Sequence, residues 1–148
     1  MLDALAGSDD AYRAISKIRW AVGPGPARGA AMNPAVVEFA HYLASAITVL
    51  FGLWCLLRPR RVASAVSFEL RGARGRAEFR IGFGGFMIGI AAYALWAGEP
   101  LAFKALGAMW LGGAVARVLV WFADQPVLER SYLGVFVFEL TQAALLLC

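Results

Sequence analysis

Charge is nearly missing from four long stretches of this sequence and concentrated between them, and that distribution restricts the fold more than any motif. The stretches run from about Ala35 to Leu57, Ile81 to Ala97, Leu101 to Ala123 and Tyr132 to Cys148. Crossing ~30 Å of hydrocarbon at about 1.5 Å per residue takes roughly 20 mostly apolar residues, and each stretch approaches or exceeds that. Within lipid, every backbone N–H and C=O must be satisfied by the chain itself, which leaves helices or a closed barrel. None of the four stretches alternates apolar and polar residues as a barrel strand does. The expectation is an all-α transmembrane four-helix bundle, with a soluble bundle of buried helices as the competing reading.

The connections place the breaks. Arg58-Pro59-Arg60-Arg61 ends the first stretch, Gly98-Glu99-Pro100 separates the second from the third, and Asp124-Gln125-Pro126 ends the third. Proline cannot donate to the helical ladder and pushes its predecessor out of the α region. Links this short join antiparallel neighbours. The chain is 61% hydrophobic and 16% charged, against roughly 45–50% and about 25% for a soluble domain. So much apolar side chain excludes intrinsic disorder, and two cysteines make no disulfide framework.

Residues 1–34 read differently. Ser8-Asp9-Asp10 has the form of a helix start, with acidic groups near the positive end of the dipole. Tyr12, Ile15, Ile18 and Val22 then recur at helical spacing, while Arg13, Lys17 and Arg19 occupy other faces and Trp20 suits an interface. The pattern predicts an N-terminal amphipathic interfacial helix, closed by the linker Gly23-Pro24-Gly25-Pro26. No compact apolar run precedes a small-residue cleavage site, so a signal peptide is not expected. Met32-Asn33-Pro34 has the form of a translation start, which would make the upstream segment an addition to a four-span unit over 35–148.

The cations set an orientation. Between Arg58 and Arg80 lie seven arginines and two glutamates, a net +5, while the other seven cations and eight anions leave −1. Short loops rich in Lys and Arg stay on the cytoplasmic side. The reading is an integral membrane protein with a cytoplasmic Arg58–Arg80 loop and both termini outside. Trp54, Trp121 and Tyr132 fall at the loop end of the spans, and Tyr93 and Trp96 at the other, where amphipathic rings prefer to sit. Membrane lipids are the partners such a loop implies. No groove-reading motif or stacking platform supports nucleic acid.

Polar residues inside a span are costly and turn toward the bundle interior or a partner. In the first span Glu38, His41, Ser45, Thr48, Gly52 and Cys55 repeat at spacings of 3 and 4, a seam on one face. Glu38 and His41 read as an outer, hydrogen-bonded polar pair able to carry protons. The chain has a single His, so a metal site, which needs several ligands from different helices, is not expected. Arg117 lies ~9 Å from the end of the third span and Glu139 ~10 Å into the fourth from the same side, so the two are expected to pair. Gln142 follows one turn beyond Glu139. Gly82, Gly85 and Gly89 make a small-residue face for helix packing, within the bundle or against a second copy. No nucleophile–base pair, P-loop or zinc-type spacing is present, which favours a non-catalytic role.

The run Gly75-Arg76-Ala77-Glu78-Phe79-Arg80, followed by Phe83-Gly84-Gly85 and Gly89, resembles the opening of the second span in a group of small, mostly bacterial four-span membrane proteins classed as a domain of unknown function. A late arginine in the third span, here Arg117, and an acidic residue in the fourth, here Glu139, belong to the same resemblance, which covers about Met32 to Cys148. A looser likeness is to DoxX-like four-span proteins, some of them tied to quinone or thiol redox membranes. The resemblance implies that Glu78, Arg80, Arg117 and Glu139 form one polar cluster, joined by Gln142. The leading expectation is an accessory or binding subunit that holds a lipid, a quinone or a partner protein, as a homo-oligomer or within a larger membrane complex. A membrane redox enzyme component and an oligomeric proton-coupled transporter stay open beside it.

Overall fold

The computed structural model describes residues 33–124 and 130–148, which belong to the second of the chain's two units, Asn33–Cys148. The amphipathic helix expected over the first 34 residues falls almost wholly outside the described residues, as does the break at Gln125-Pro126.

All regular structure in the described residues is helical: α1 (Pro34–Leu57), α2 (Pro59–Ala65), α3 (Gly72–Phe79), a π-helical segment (Arg80–Gly85), α4 (Phe86–Ala97), α5 (Pro100–Asp124) and α6 (Arg130–Leu147). Four helices are long and apolar enough to cross a membrane: α1, the continuous run Gly72–Ala97, α5 and α6. The second exceeds the expected 81–97 because α3 and the π segment extend it back into the arginine loop. That loop is therefore largely helical rather than irregular.

Local chemistry explains the ends. The Asn33 side chain accepts a hydrogen bond from the Ala35 N–H at 3.0 Å, with Pro34 in the first turn where its missing donor costs nothing. The run Gly72–Ala97 stops at Gly98, whose φ of 64° is left-handed and whose N–H bonds back to Ala94 O at 3.0 Å. Pro100 then opens α5. A side chain at Gly98 would be strained by that φ and would meet the Tyr42 hydroxyl at 3.1 Å.

The bundle is apolar outside, and inside it joins large apolar residues such as Phe103, Leu106, Trp110 and Leu146 to many small and polar ones. Phe86, Trp96, Leu101 and Phe122 are each more than 70% exposed. The interior holds Ala44, Ala91, Ala94, Ala114 and Ala143, with Ser45, Thr48, His41, Gln142 and Glu139 among the buried polar groups. A soluble bundle would present the reverse, because contiguous apolar surface on that scale associates in water. Small interior residues are how helices gain contact where lipid removes the hydrophobic drive between them.

The tightest approaches involve glycines. A Cβ at Gly52 would lie 2.8 Å from Ile88 Cγ1 and 3.0 Å from Gly84 O, and one at Gly84 would lie 3.2 Å from Leu56 Cβ. A Cβ at Gly107 would lie 2.8 Å from Leu146 Cβ. By contrast Gly82 and Gly89 have nothing within 4 Å, and Gly85 meets only its own Arg80 O at 4.0 Å. The expected face of Gly82, Gly85 and Gly89 thus does no packing among the described residues. The helical phase reached by way of the π segment turns Gly84 toward α1 and these three outward.

Candidate functional site

The buried seam of α1 is as the spacing predicted for His41, Ser45, Thr48, Gly52 and Cys55. Glu38, one turn into the helix, is exposed, and among the described residues no hydrogen bond joins it to His41. His41 is buried and stacks on Phe103, with ring centroids 4.9 Å apart, while its Nε2 has no hydrogen-bond partner among the described residues. The expected outer pair therefore separates: the imidazole enters the core and the carboxylate stays at the mouth, where its charge keeps its hydration.

Midway along the bundle Thr48 ties α1 to α5. Its hydroxyl donates to Ala44 O at 2.9 Å and accepts from Trp110 Nε1 at 3.1 Å. Thr48→Val keeps the shape but leaves the buried indole N–H without an acceptor. It should destabilise by about 0.5–2 kcal/mol, measurable as a lower denaturation midpoint in detergent.

Toward the arginine-loop end, Arg117 on α5 and Glu139 on α6 form a two-pronged pair, Nε to Oε2 at 2.7 Å and Nη2 to Oε1 at 3.0 Å. Parallel N–H···O bonds of this kind are the strong form of the ion pair and fix the orientation of both groups. Tyr132, in the first turn of α6, supports the pair twice. Its hydroxyl donates to Arg117 O at 3.0 Å, and its ring lies 5.1 Å from the guanidinium carbon. Gly113 makes the room, since a Cβ there would sit 3.3 Å from Glu139 Oε1. Gln142 is buried one turn beyond, with neither amide atom hydrogen-bonded among the described residues.

Glu78 and Arg80 lie elsewhere. Glu78 is exposed and pairs with Arg74 at 3.9 Å, and Arg80 Nε donates to Leu56 O at 2.9 Å, one of the carbonyls that the end of α1 leaves open. The single cluster implied by the resemblance thus divides into the Arg117–Glu139 pair within the bundle and an arginine-rich surface at its end.

The pair lines a cleft of about 490 Å³. Its walls are Phe51 and Trp54 of α1, Val62 of α2, Phe79 and Phe83 at the start of the second span, Met87 of α4, Trp110 of α5, and Val135 and Phe138 of α6. Phe68, between α2 and α3, adds a further ring 5.7 Å from that of Phe79. The polar groups are few and converge: Arg117, Ser131, Tyr132 and Glu139. An apolar pocket of this size with a few placed polar atoms is the usual form of a small-molecule site. The aromatic walls were not predicted as a site, because Phe51, Phe79, Phe83 and Phe138 look in sequence like any other lipid-facing residues. Among the described residues no group of three or more His, Cys, Asp and Glu is placed to hold a metal ion.

Residues 36–148, the whole four-span unit but for its first turn, match the family described as a domain of unknown function (DUF4345). The chain belongs to that family. Among curated proteins and among solved structures, nothing matches it. Family membership carries no activity with it.

Proposed function

We propose that this DUF4345 protein is an accessory or binding subunit that holds an amphipathic molecule, a quinone or a neutral lipid, in the cleft that Arg117 and Glu139 line. The observation that carries this reading is the cleft itself: aromatic walls, and among them an ion pair whose two charges cancel. A neutralised guanidinium is a poor partner for a free anion, yet its remaining N–H groups suit a carbonyl or ester oxygen. Flat aromatic walls suit a ring. The Arg58–Arg80 loop is read as cytoplasmic and both termini as outside, in a bacterial inner membrane. The outward face at Gly82, Gly85 and Gly89 supports association with a second copy or a larger complex.

Trp54 and Trp110 line the cleft and make the reading testable. Titrating the detergent-solubilised protein with a short-chain quinone should quench its tryptophan emission saturably. Trp54→Phe/Trp110→Phe should remove most of the quench, and Arg117→Met should weaken binding. Organic extracts of the purified protein, read by mass spectrometry, should contain a quinone or a neutral lipid in near-stoichiometric amount. Linear, non-saturable quenching together with a lipid-free extract would sink the proposal. For orientation, a C-terminal reporter active only outside the cytoplasm is expected to be active; activity of a cytoplasm-only reporter would reverse the topology.

A further inference from the structure

The seven loop arginines are not equivalent in the structure. Arg71 is 3.4 Å from Glu69, and Arg74 is 3.9 Å from Glu78, so the loop's two carboxylates are taken by those two. The other five, Arg58, Arg60, Arg61, Arg76 and Arg80, line a single open pocket of about 440 Å³ together with Leu57 and Pro59. Among the described residues none of the five is paired with a carboxylate. Two are held in place by backbone oxygens: Arg76 Nη1 donates to Gly72 O at 2.8 Å, and Arg80 Nε to Leu56 O at 2.9 Å. Both bonds leave further guanidinium N–H groups for another acceptor. The pocket sits where α1 ends and the second span begins, beside the ends of two apolar helices.

Five like charges around one pocket repel one another, and nothing in the described chain offsets them. We infer that this pocket is a phosphate-binding site, built to receive the phosphate of an anionic lipid headgroup or of a soluble phosphorylated compound. The planar guanidinium fork matches tetrahedral phosphate oxygens two at a time, which an ammonium cannot do. A diffuse basic surface would only concentrate counter-ions. Here the acidic residues are drawn off to Arg71 and Arg74, and the remaining cations converge.

The test compares variants matched in charge, using the full chain in mild detergent. R60Q/R61Q removes two charges from the pocket; R71Q/R74Q removes two from the same loop outside it. Phosphatidylglycerol, phosphatidylcholine and inorganic pyrophosphate at matched ionic strength are the probes, with native mass spectrometry and thermal shift as readouts. The unaltered chain should retain phosphatidylglycerol over phosphatidylcholine. R60Q/R61Q should weaken that retention about tenfold, and R71Q/R74Q by less than about twofold, because a charge-assisted bond to phosphate is far stronger than screened attraction. Stabilisation by pyrophosphate without lipid would identify a soluble ligand, and stabilisation by phosphatidylglycerol alone a lipid. Should R60Q/R61Q fail to fold by circular dichroism, R60K/R61K keeps the charge and loses the fork, and should still bind more weakly than the unaltered chain. Equal losses in the two glutamine variants, full binding by R60K/R61K, or no saturable response to either anionic probe would overturn the site.

Discussion

Arg117→Ala should lower the stability of the bundle by about 3–5 kcal/mol, the range found when one partner of a buried ion pair is removed. The Glu139 side chain is 10% exposed and that of Arg117 27%, so alanine at 117 strands a carboxylate in surroundings that cannot hydrate it. Arg117→Leu/Glu139→Met should therefore recover most of the stability, because removing both charges also removes their desolvation cost. Tyr132→Phe, which deletes only the hydroxyl bonded to Arg117 O, should cost about 1 kcal/mol. Unfolding midpoints in detergent, with a double-mutant cycle across the pair, check all of these. If Arg117→Ala keeps the full midpoint, the pair contributes nothing to the fold.

The second large effect concerns glycines. Gly107→Val and Gly52→Val should each destabilise by about 1–3 kcal/mol or more, since added atoms meet Leu146 Cβ and the Leu147 side chain, or Ile88 Cγ1 and Gly84 O. Relief requires α5 to part from α6, or α1 from α4. Gly82→Ala and Gly89→Ala, with nothing within 4 Å, should stay within about 0.5 kcal/mol of the starting protein. The same unfolding measurement separates the two classes. Equal losses at all four positions would mean that the outward face packs against something within the folded unit.

Periodicity found the seam of α1 because burying His41, Ser45 and Thr48 together requires them on one side of a 3.6-residue helix. It could not place Glu38, since an end position has the choice of solvent. Matching depths along α5 and α6 found the Arg117–Glu139 pair, because the cost of leaving either charge in lipid allows few other solutions. The same reasoning could not place Glu78 and Arg80, which lie close to the ends of the spans, where water and backbone carbonyls compete for them. The small-residue pattern pointed to Gly82, Gly85 and Gly89, whereas Gly52 and Gly84 make the close approach. A pattern of small residues gives a face but no direction, and the π segment at Arg80–Gly85 resets the direction.

The number of spans, their approximate limits and their helical nature follow from composition alone, because lipid imposes one length and one way of satisfying the backbone. So does the rule that buried charges must find each other. Which side each glycine faces, which two of seven arginines take the glutamates, and that scattered phenylalanines and tryptophans enclose one cleft, are properties of the packed bundle. They depend on rotations about helix axes and on contacts between residues as distant in the chain as Phe51 and Phe138. No local physical rule acts over that separation, so only the assembled helices could decide them.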